Sequence, residues 1–208
     1  MLMNSPTNPT PAGRRWNASD FQATPVDCAS KLIGTEFFWG TTGGRVVETE
    51  AYAEFGDEAC RTFVRNAARD FVRDQPPGTI YAYLNYGVHW LFNVLTKHET
   101  ANGFVLIRAI EPTYGIEEMK ARRNKQHVQD LCSGPGKLTQ AMGIGPDSHG
   151  DSIVDETPNV VRGFFGDSSR NVVSDTRIGI TKAADLQWRF LLEGSRYVSK
   201  PRSRPRRS

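Results

Sequence analysis

The chain has 208 residues, 38% hydrophobic and 24% charged, a composition ordinary for a globular protein and a length that suits one large domain. No apolar run approaches the roughly 20 residues of a membrane span, and the first 15 residues, rich in Pro, Thr and Asn, lack the apolar core of a signal peptide. The net charge of +3 comes from the end of the chain: residues 200–208 carry five basic residues and no acid, so the rest nets −2, and an anionic partner would have to meet a local basic patch.

In chain order, Thr24 ahead of Pro25 predicts an N-capped helix over 25–32, with Gly34 as its stop. Strands are expected over 35–39 and 44–52, then a helical turn near 57–63. The polar run RNAARDFVRDQPPG, residues 65–78, ends in Pro-Pro-Gly and reads as a loop. Alternating apolar and aromatic residues over 79–84 and 88–95 predict a β-hairpin turning at Asn85-Tyr86-Gly87. Its tip is unusual, because a tyrosine stands where small polar residues are the rule. A strand over 103–112 follows, then a helix over 114–125 offering Lys120, Arg122 and Arg123 to solvent, and a helix over 134–142 capped by Ser133. Residues 145–175 are weakly patterned, and short strands near TRIGIT (176–181) and QWRFLLEG (187–194) close the domain. Strands grouped in hairpins, without βαβ alternation, predict an α+β fold. We expect one domain over 16–199 on a curved antiparallel sheet, with flanking helices and a protruding hairpin. A disordered arm is expected over 1–15 and a disordered basic tail over 200–208.

Three groups of residues bear chemistry. The two-residue strand period puts Glu48, Glu50 and Tyr52 on one face of the second strand and Val47, Thr49 and Ala51 on the other. Such a face is either solvated or a polar pocket. The first hairpin strand likewise puts Tyr81 and Tyr83 together, as stacking walls for a flat ligand or as an ordinary tyrosine-rich strand face. Gly134-Pro135-Gly136-Lys137 opens a helix with free N–H groups and an ammonium, which suits a phosphate, although the spacing of a nucleotide-binding P-loop is missing. Cys28, Cys60 and Cys132 stand far apart and read as free thiols. His89, His98, His127 and His149 do not cluster, so no metal or cofactor is expected.

Together, VVETEAY, PPGTIYAYLNYGVHWLFNV, VLIRAIEP and LCSGPGKLTQAMGI, spread over residues 46–144, resemble the alkyladenine (3-methyladenine) DNA glycosylase family of base-excision repair enzymes. TRIGIT and WRFLLEGSRYVS are weaker echoes. The resemblance implies double-stranded DNA carrying a damaged purine as partner, no membrane association, a monomer, and a location in the cytoplasm or nucleoid. It implies release of bases such as 3-methyladenine, 7-methylguanine, hypoxanthine or ethenoadenine by a monofunctional enzyme without lyase activity. On this chain, Glu50 matches the general base that activates water, and Tyr52 and Tyr83 the walls that sandwich an extruded base. Asn93 matches a side chain that screens out guanine, and Arg108 a basic residue near the pocket. Tyr86 matches the wedge that fills the gap in the duplex. Arg123 and Lys137 fall on phosphate-contacting positions, and Val88, His89 and Gly194 in backbone-contacting segments.

Two departures from the family's pattern stand out. Arg61 occupies a position where the family often has histidine; an arginine there could pair with Glu50 and weaken it as a base, and would repel cationic purines. The segment over 65–78 is shorter and more charged than the family's usual loop. A rival reading is therefore a non-catalytic lesion-binding protein with turnover impaired by Arg61. A third, a small-molecule-binding domain, leaves Tyr86, Arg123 and Lys137 without a purpose.

Overall fold

The computed structural model describes residues 9–169 and 171–202. Residues 1–8 and 203–208, within the expected arm and tail, lie outside the described residues. Of the arm's remainder, Arg15 bridges to Phe165 and the Arg14 carbonyl accepts from the Gly166 N–H at 2.9 Å.

The described residues form four α-helices, α1 (Pro25–Leu32), α2 (Asn66–Asp74), α3 (Ile116–Arg123) and α4 (Pro135–Met142). They also form eight strands: β1 (Glu36–Trp39), β2 (Thr42–Ala53), β3 (Ile80–Asn85), β4 (His89–Thr96), β5 (Gly103–Tyr114), β6 (Arg162–Phe165), β7 (Val172–Asp175) and β8 (Arg189–Leu192). All strand pairings are antiparallel, in one curved sheet of order β3-β4-β5-β2-β1-β6, with β8 on β2 and β7 on β8. The fold is α+β. No helix among the described residues is long and apolar enough to cross a membrane.

The two faces of the sheet do different work. One buries the main core, where Leu32, Phe37, Phe92, Ile107, Met119 and Leu138 are sealed between the sheet and α1, α3 and α4. Phe37 stacks on Phe164 at 4.7 Å and tilts against Phe92 at 5.2 Å. Each such side chain contributes roughly 1.5–3 kcal/mol through burial. The other face carries a smaller cluster of Cys60, Ala68, Val72, Tyr81, Leu95 and Phe104, with Tyr52 and Tyr83 packed against it. Helix α2 roofs part of this second face.

That helix corrects the loop expected over 65–78. Ala68, Phe71 and Val72 recur at helical spacing inside an otherwise charged run, and Ala68 and Val72 are fully buried. A narrow apolar stripe was enough, because the aromatic face of the sheet supplied the rest of the contact. β6 and β7 arise within the weakly patterned 145–175. TRIGIT, in contrast, is not a strand: Arg177 is spent on Asp57 and the Ile178 N–H on Glu50, so side chains take the place of a ladder. The cap of α4 is Gly134, while Ser133 accepts from Lys137 Nζ at 3.3 Å. Cys28, Cys60 and Cys132 are free and buried.

Candidate active site

β2 changes partners in the middle. Its first half pairs with β1, while Glu48, Thr49 and Glu50 pair with β8 on the same side and with β5 on the other. Opposite β5 the register slips on both sides of Glu48, leaving Val47 and Arg108 unpaired. Such bulges bend a strand and re-aim its side chains. Here the Arg108 guanidinium comes to lie between the two glutamates, its Nε donating to Glu48 Oε1 at 3.0 Å and its Nη1 to Glu50 Oε2 at 3.1 Å.

Glu50 is fully buried. Besides Arg108, it accepts from the Tyr52 hydroxyl at 2.8 Å and from the Ile178 N–H at 2.7 Å. Burial pushes its carboxyl above the usual range of a glutamate, while Arg108 and the two other donors pull it back. Burial and the neighbouring Glu50 both raise the Tyr52 phenol well above its ordinary value, so that hydroxyl stays a donor. Glu48 is equally buried and accepts from Arg108, from Arg189 at 2.8 Å, and from the Ser199 hydroxyl at 2.7 Å. Every polar atom at this centre has a partner in place, as a buried charge network requires.

Above the network opens a cleft of about 700 Å³. Tyr52, Arg108 and Ile178, the three residues that hold Glu50, line its floor, although Glu50 itself lies one layer behind them. Tyr83, Asn93 and Tyr81 form one wall. Asn93 is fixed there by donating its amide to the Tyr81 carbonyl at 3.0 Å, across the β3–β4 ladder. At the mouth stand Tyr86, His89, Arg123 and Lys137. Val88 and Gly194 lie outside the cleft: Val88 is exposed on the hairpin tip, and Gly194 is in the turn after β8.

The tip is a four-residue turn closed by Val88 N–H to the Asn85 carbonyl at 3.1 Å. Tyr86 and Gly87 both have positive φ, 51° and 71°, as a two-residue hairpin turn of right-handed twist requires. For a tyrosine this conformation costs about 1–2 kcal/mol, yet the residue is 86% exposed and gains almost nothing from packing. Opposite the hairpin, α4 begins so close to His89 that a side chain on Gly136 would strike the imidazole, a Cβ falling 2.8 Å from it. Arg123 reaches from α3 to the Gln140 side-chain carbonyl of α4.

Arg61 departs from expectation. It does not pair with Glu50; Arg108 holds that position. The Arg61 guanidinium lies instead 4.5 Å over the ring of Tyr83 and donates to Asn85 Oδ1 at 3.3 Å. A β3 strand that offers an aromatic face and an amide one period apart draws it across the cleft.

Residues with no role assigned from the sequence complete the site. Asp57 and Arg177 form a fully buried pair with two bonds, at 2.6 and 2.7 Å. Asp57 also accepts from the Ala53 and Ala59 N–H groups at 3.1 Å. The pair clamps the end of β2 to the segment that supplies the Ile178 N–H, and Arg177 stacks on Tyr52 at 4.7 Å. The one clue in the sequence was the TRIGIT motif, which alternation alone disguised as a strand.

A sequence profile of the methylpurine-DNA glycosylase (MPG) family matches residues 19–196. The chain is 47% identical over 189 residues to a protein of Methanoculleus marisnigri, covering 88% of this chain and 97% of that one. It is 44% identical over 181 residues to one of Rhodopseudomonas palustris strain HaA2, covering 87% and 88%. With one of Chlorobaculum tepidum it shares 39% over 203 residues, covering 92% and 94%. All three are named "Putative 3-methyladenine DNA glycosylase". Matched over most of its length, with a buried carboxylate behind an aromatic cleft, this chain belongs to the methylpurine-DNA glycosylase family.

Proposed function

We propose that the protein is a monofunctional DNA glycosylase that extrudes a damaged purine from duplex DNA and hydrolyses its N-glycosidic bond with a water activated by Glu50. The observation that carries this reading is the hydrogen-bond count at Glu50. An ionised carboxylate offers about four acceptor sites, and three are taken, by Tyr52, Arg108 and Ile178. We assign the remaining site to the attacking water, which has to pass the layer of Tyr52, Arg108 and Ile178 to reach the buried carboxylate. In the proposed step the water oxygen attacks the sugar C1′ and the C1′–N9 bond breaks. The bond's electron pair leaves with the purine, and the water proton passes to Glu50. The same carboxylate charge stabilises oxocarbenium character on the sugar.

Base extrusion costs a few kcal/mol, least for a damaged or poorly paired base. Stacking on Tyr52 and Tyr83 returns about 1–3 kcal/mol per ring. The exposed Tyr86, held in a costly backbone conformation at the hairpin tip, suits a wedge that takes the place of the extruded nucleotide. Asn93 is assigned to screening the 2-amino group of guanine. Arg123 and Lys137, with the N–H groups at the start of α4, suit the phosphates, and His89, Val88 and Gly194 the nearby backbone. The rival reading, a binder without turnover, rests on Arg61 in place of the family's histidine; one of its grounds, a pair with Glu50, is absent, since Arg108 holds that carboxylate.

The test is abasic-site formation in duplexes carrying single damaged purines. Wild type should release base and Glu50→Gln should lose at least about a thousandfold in rate while still binding, the scale expected of a lost general base. Tyr86→Ala should keep its fold and lose lesion affinity. Borohydride should trap no covalent DNA adduct. Binding without release by wild type would establish the non-catalytic reading, and full activity of Glu50→Gln would overturn the mechanism.

A further inference from the structure

Four cations line the cleft: Arg61, Arg108, Arg123 and Lys137. They are not equivalent. Arg108 is neutralised by Glu48 and Glu50, while Arg123 and Lys137 stand at the mouth with neutral partners, Gln140 and Ser133. Glu58, the acid of the lining, is engaged by Lys182 at 3.2 Å. Arg61 alone combines a position over an aromatic wall with the absence, among the described residues, of any carboxylate at ion-pair distance. Its charge faces whatever enters.

The two tyrosine walls add a second observation. A cation is drawn to the electron-rich face of a tyrosine. Here Tyr83 already carries Arg61 at 4.5 Å, and Tyr52 carries Arg177 at 4.7 Å from outside the cleft lining. Each ring has spent part of its attraction on a protein cation. A purine made cationic by alkylation at N3 or N7 therefore finds weakened stacking partners and an uncompensated like charge. A neutral purine loses little on the first count and can gain on the second. The guanidinium fork is the natural partner of an O6/N7 edge, which accepts two parallel N–H bonds. The fork rests on the face of Tyr83 and on one neutral bond, to Asn85 at 3.3 Å, and among the described residues no carboxylate lies at ion-pair distance to fix it there.

We propose that Arg61 is the specificity-determining residue of the cleft, selecting neutral 6-oxopurines, hypoxanthine foremost, over purines rendered cationic by N3 or N7 alkylation. On entry of the base the guanidinium leaves the face of Tyr83 for the O6/N7 edge, and Asn93 on the same wall opposes the 2-amino group that distinguishes guanine. A 7-methylated guanine fails twice, since its N7 is blocked and its ring is charged. The inference rests on the glycosylase reading and narrows it to a substrate class.

The test compares single-turnover release from duplexes holding one hypoxanthine or one 7-methylguanine, with equilibrium binding of both duplexes measured in the Glu50→Gln background. Wild type should favour hypoxanthine in both readouts. Arg61→Gln, which keeps polarity and removes charge, should shift the ratio toward 7-methylguanine by at least about tenfold, the scale of a like-charge interaction partly screened by water. Arg61→Lys keeps the charge without the fork. It should slow hypoxanthine release while still disfavouring 7-methylguanine, a split that loss of fold cannot produce. A wild-type preference for 7-methylguanine, or a ratio unchanged in Arg61→Gln, would overturn the proposal. Absence of release by wild type would overturn the glycosylase reading instead, with the binding ratio still deciding the role of Arg61.

Discussion

Glu50 combines two demands that pull against each other. A base must be ionised, yet water for a single nucleophilic attack is best presented in a dry cavity. Burial raises the carboxyl above 4.5, the ordinary value of a glutamate, and Arg108 is the largest influence opposing that rise. The sign for activity follows. In the proposed mechanism Glu50 acts in its charged form, so the rate should be low below its raised pKa, climb as pH passes through it, and level off above. The acid limb of kcat/KM is therefore expected above pH 4.5 with unit slope. Arg108→Gln removes the opposing cation and should move that limb to higher pH, while Arg108→Lys should restore part of the shift. A limb at or below 4.5, or one that ignores Arg108, would remove Glu50 from the role of base.

At the scale of elements, the site hangs on two joints, and these decide what the sequence could reveal. Period-two alternation put Glu48, Glu50 and Tyr52 on one face of β2 and Tyr81 and Tyr83 on one face of β3, as found: β3 pairs with β4 without a slip, and β2 pairs with β8 in unbroken register from Glu48 to Glu50. The hairpin was legible for the same reason. The bulge beside Glu48 was not, since the slip against β5 depends on which strand lies opposite. Nor was α2 legible, its stripe of Ala68, Phe71 and Val72 making sense only against the aromatic face it covers. The Asp57–Arg177 joint escaped altogether, as its partners are 120 residues apart. Both side chains of that joint are fully buried, so removing one charge leaves the other stranded. Asp57→Asn is expected to destabilise the protein by about 3–5 kcal/mol in chemical denaturation. It should also free the segment that donates the Ile178 N–H, lowering kcat more than it raises KM. A destabilisation below about 1 kcal/mol, the scale of an exposed ion pair, would mean that the pair is no clamp.

Over the whole molecule, charge is segregated rather than abundant. Without residues 200–208 the chain nets −2, yet the cleft mouth gathers Arg123 and Lys137 beside the start of α4. Residues 199 and 200 are anchored to the same region: the Ser199 hydroxyl bonds Glu48, Arg108 reaches Ser199, and Arg189 reaches the Lys200 carbonyl. A Cβ on Gly134 would lie 3.9 Å from Ser199, so Ser199 sits beside the helix start that suits a phosphate. Truncation after Lys200 keeps the acceptor for Arg189 and removes Arg202, Arg204, Arg206 and Arg207. The melting temperature and the low-salt rate of base release should then stay as they are. Binding to undamaged duplex should weaken, with the slope of log affinity against log salt falling by about 0.9 for each phosphate no longer neutralised. Lys137→Gln should take about one further unit from that slope in either background. A slope unchanged by truncation but lowered by Lys137→Gln would confine the DNA-binding surface to the mouth of the cleft.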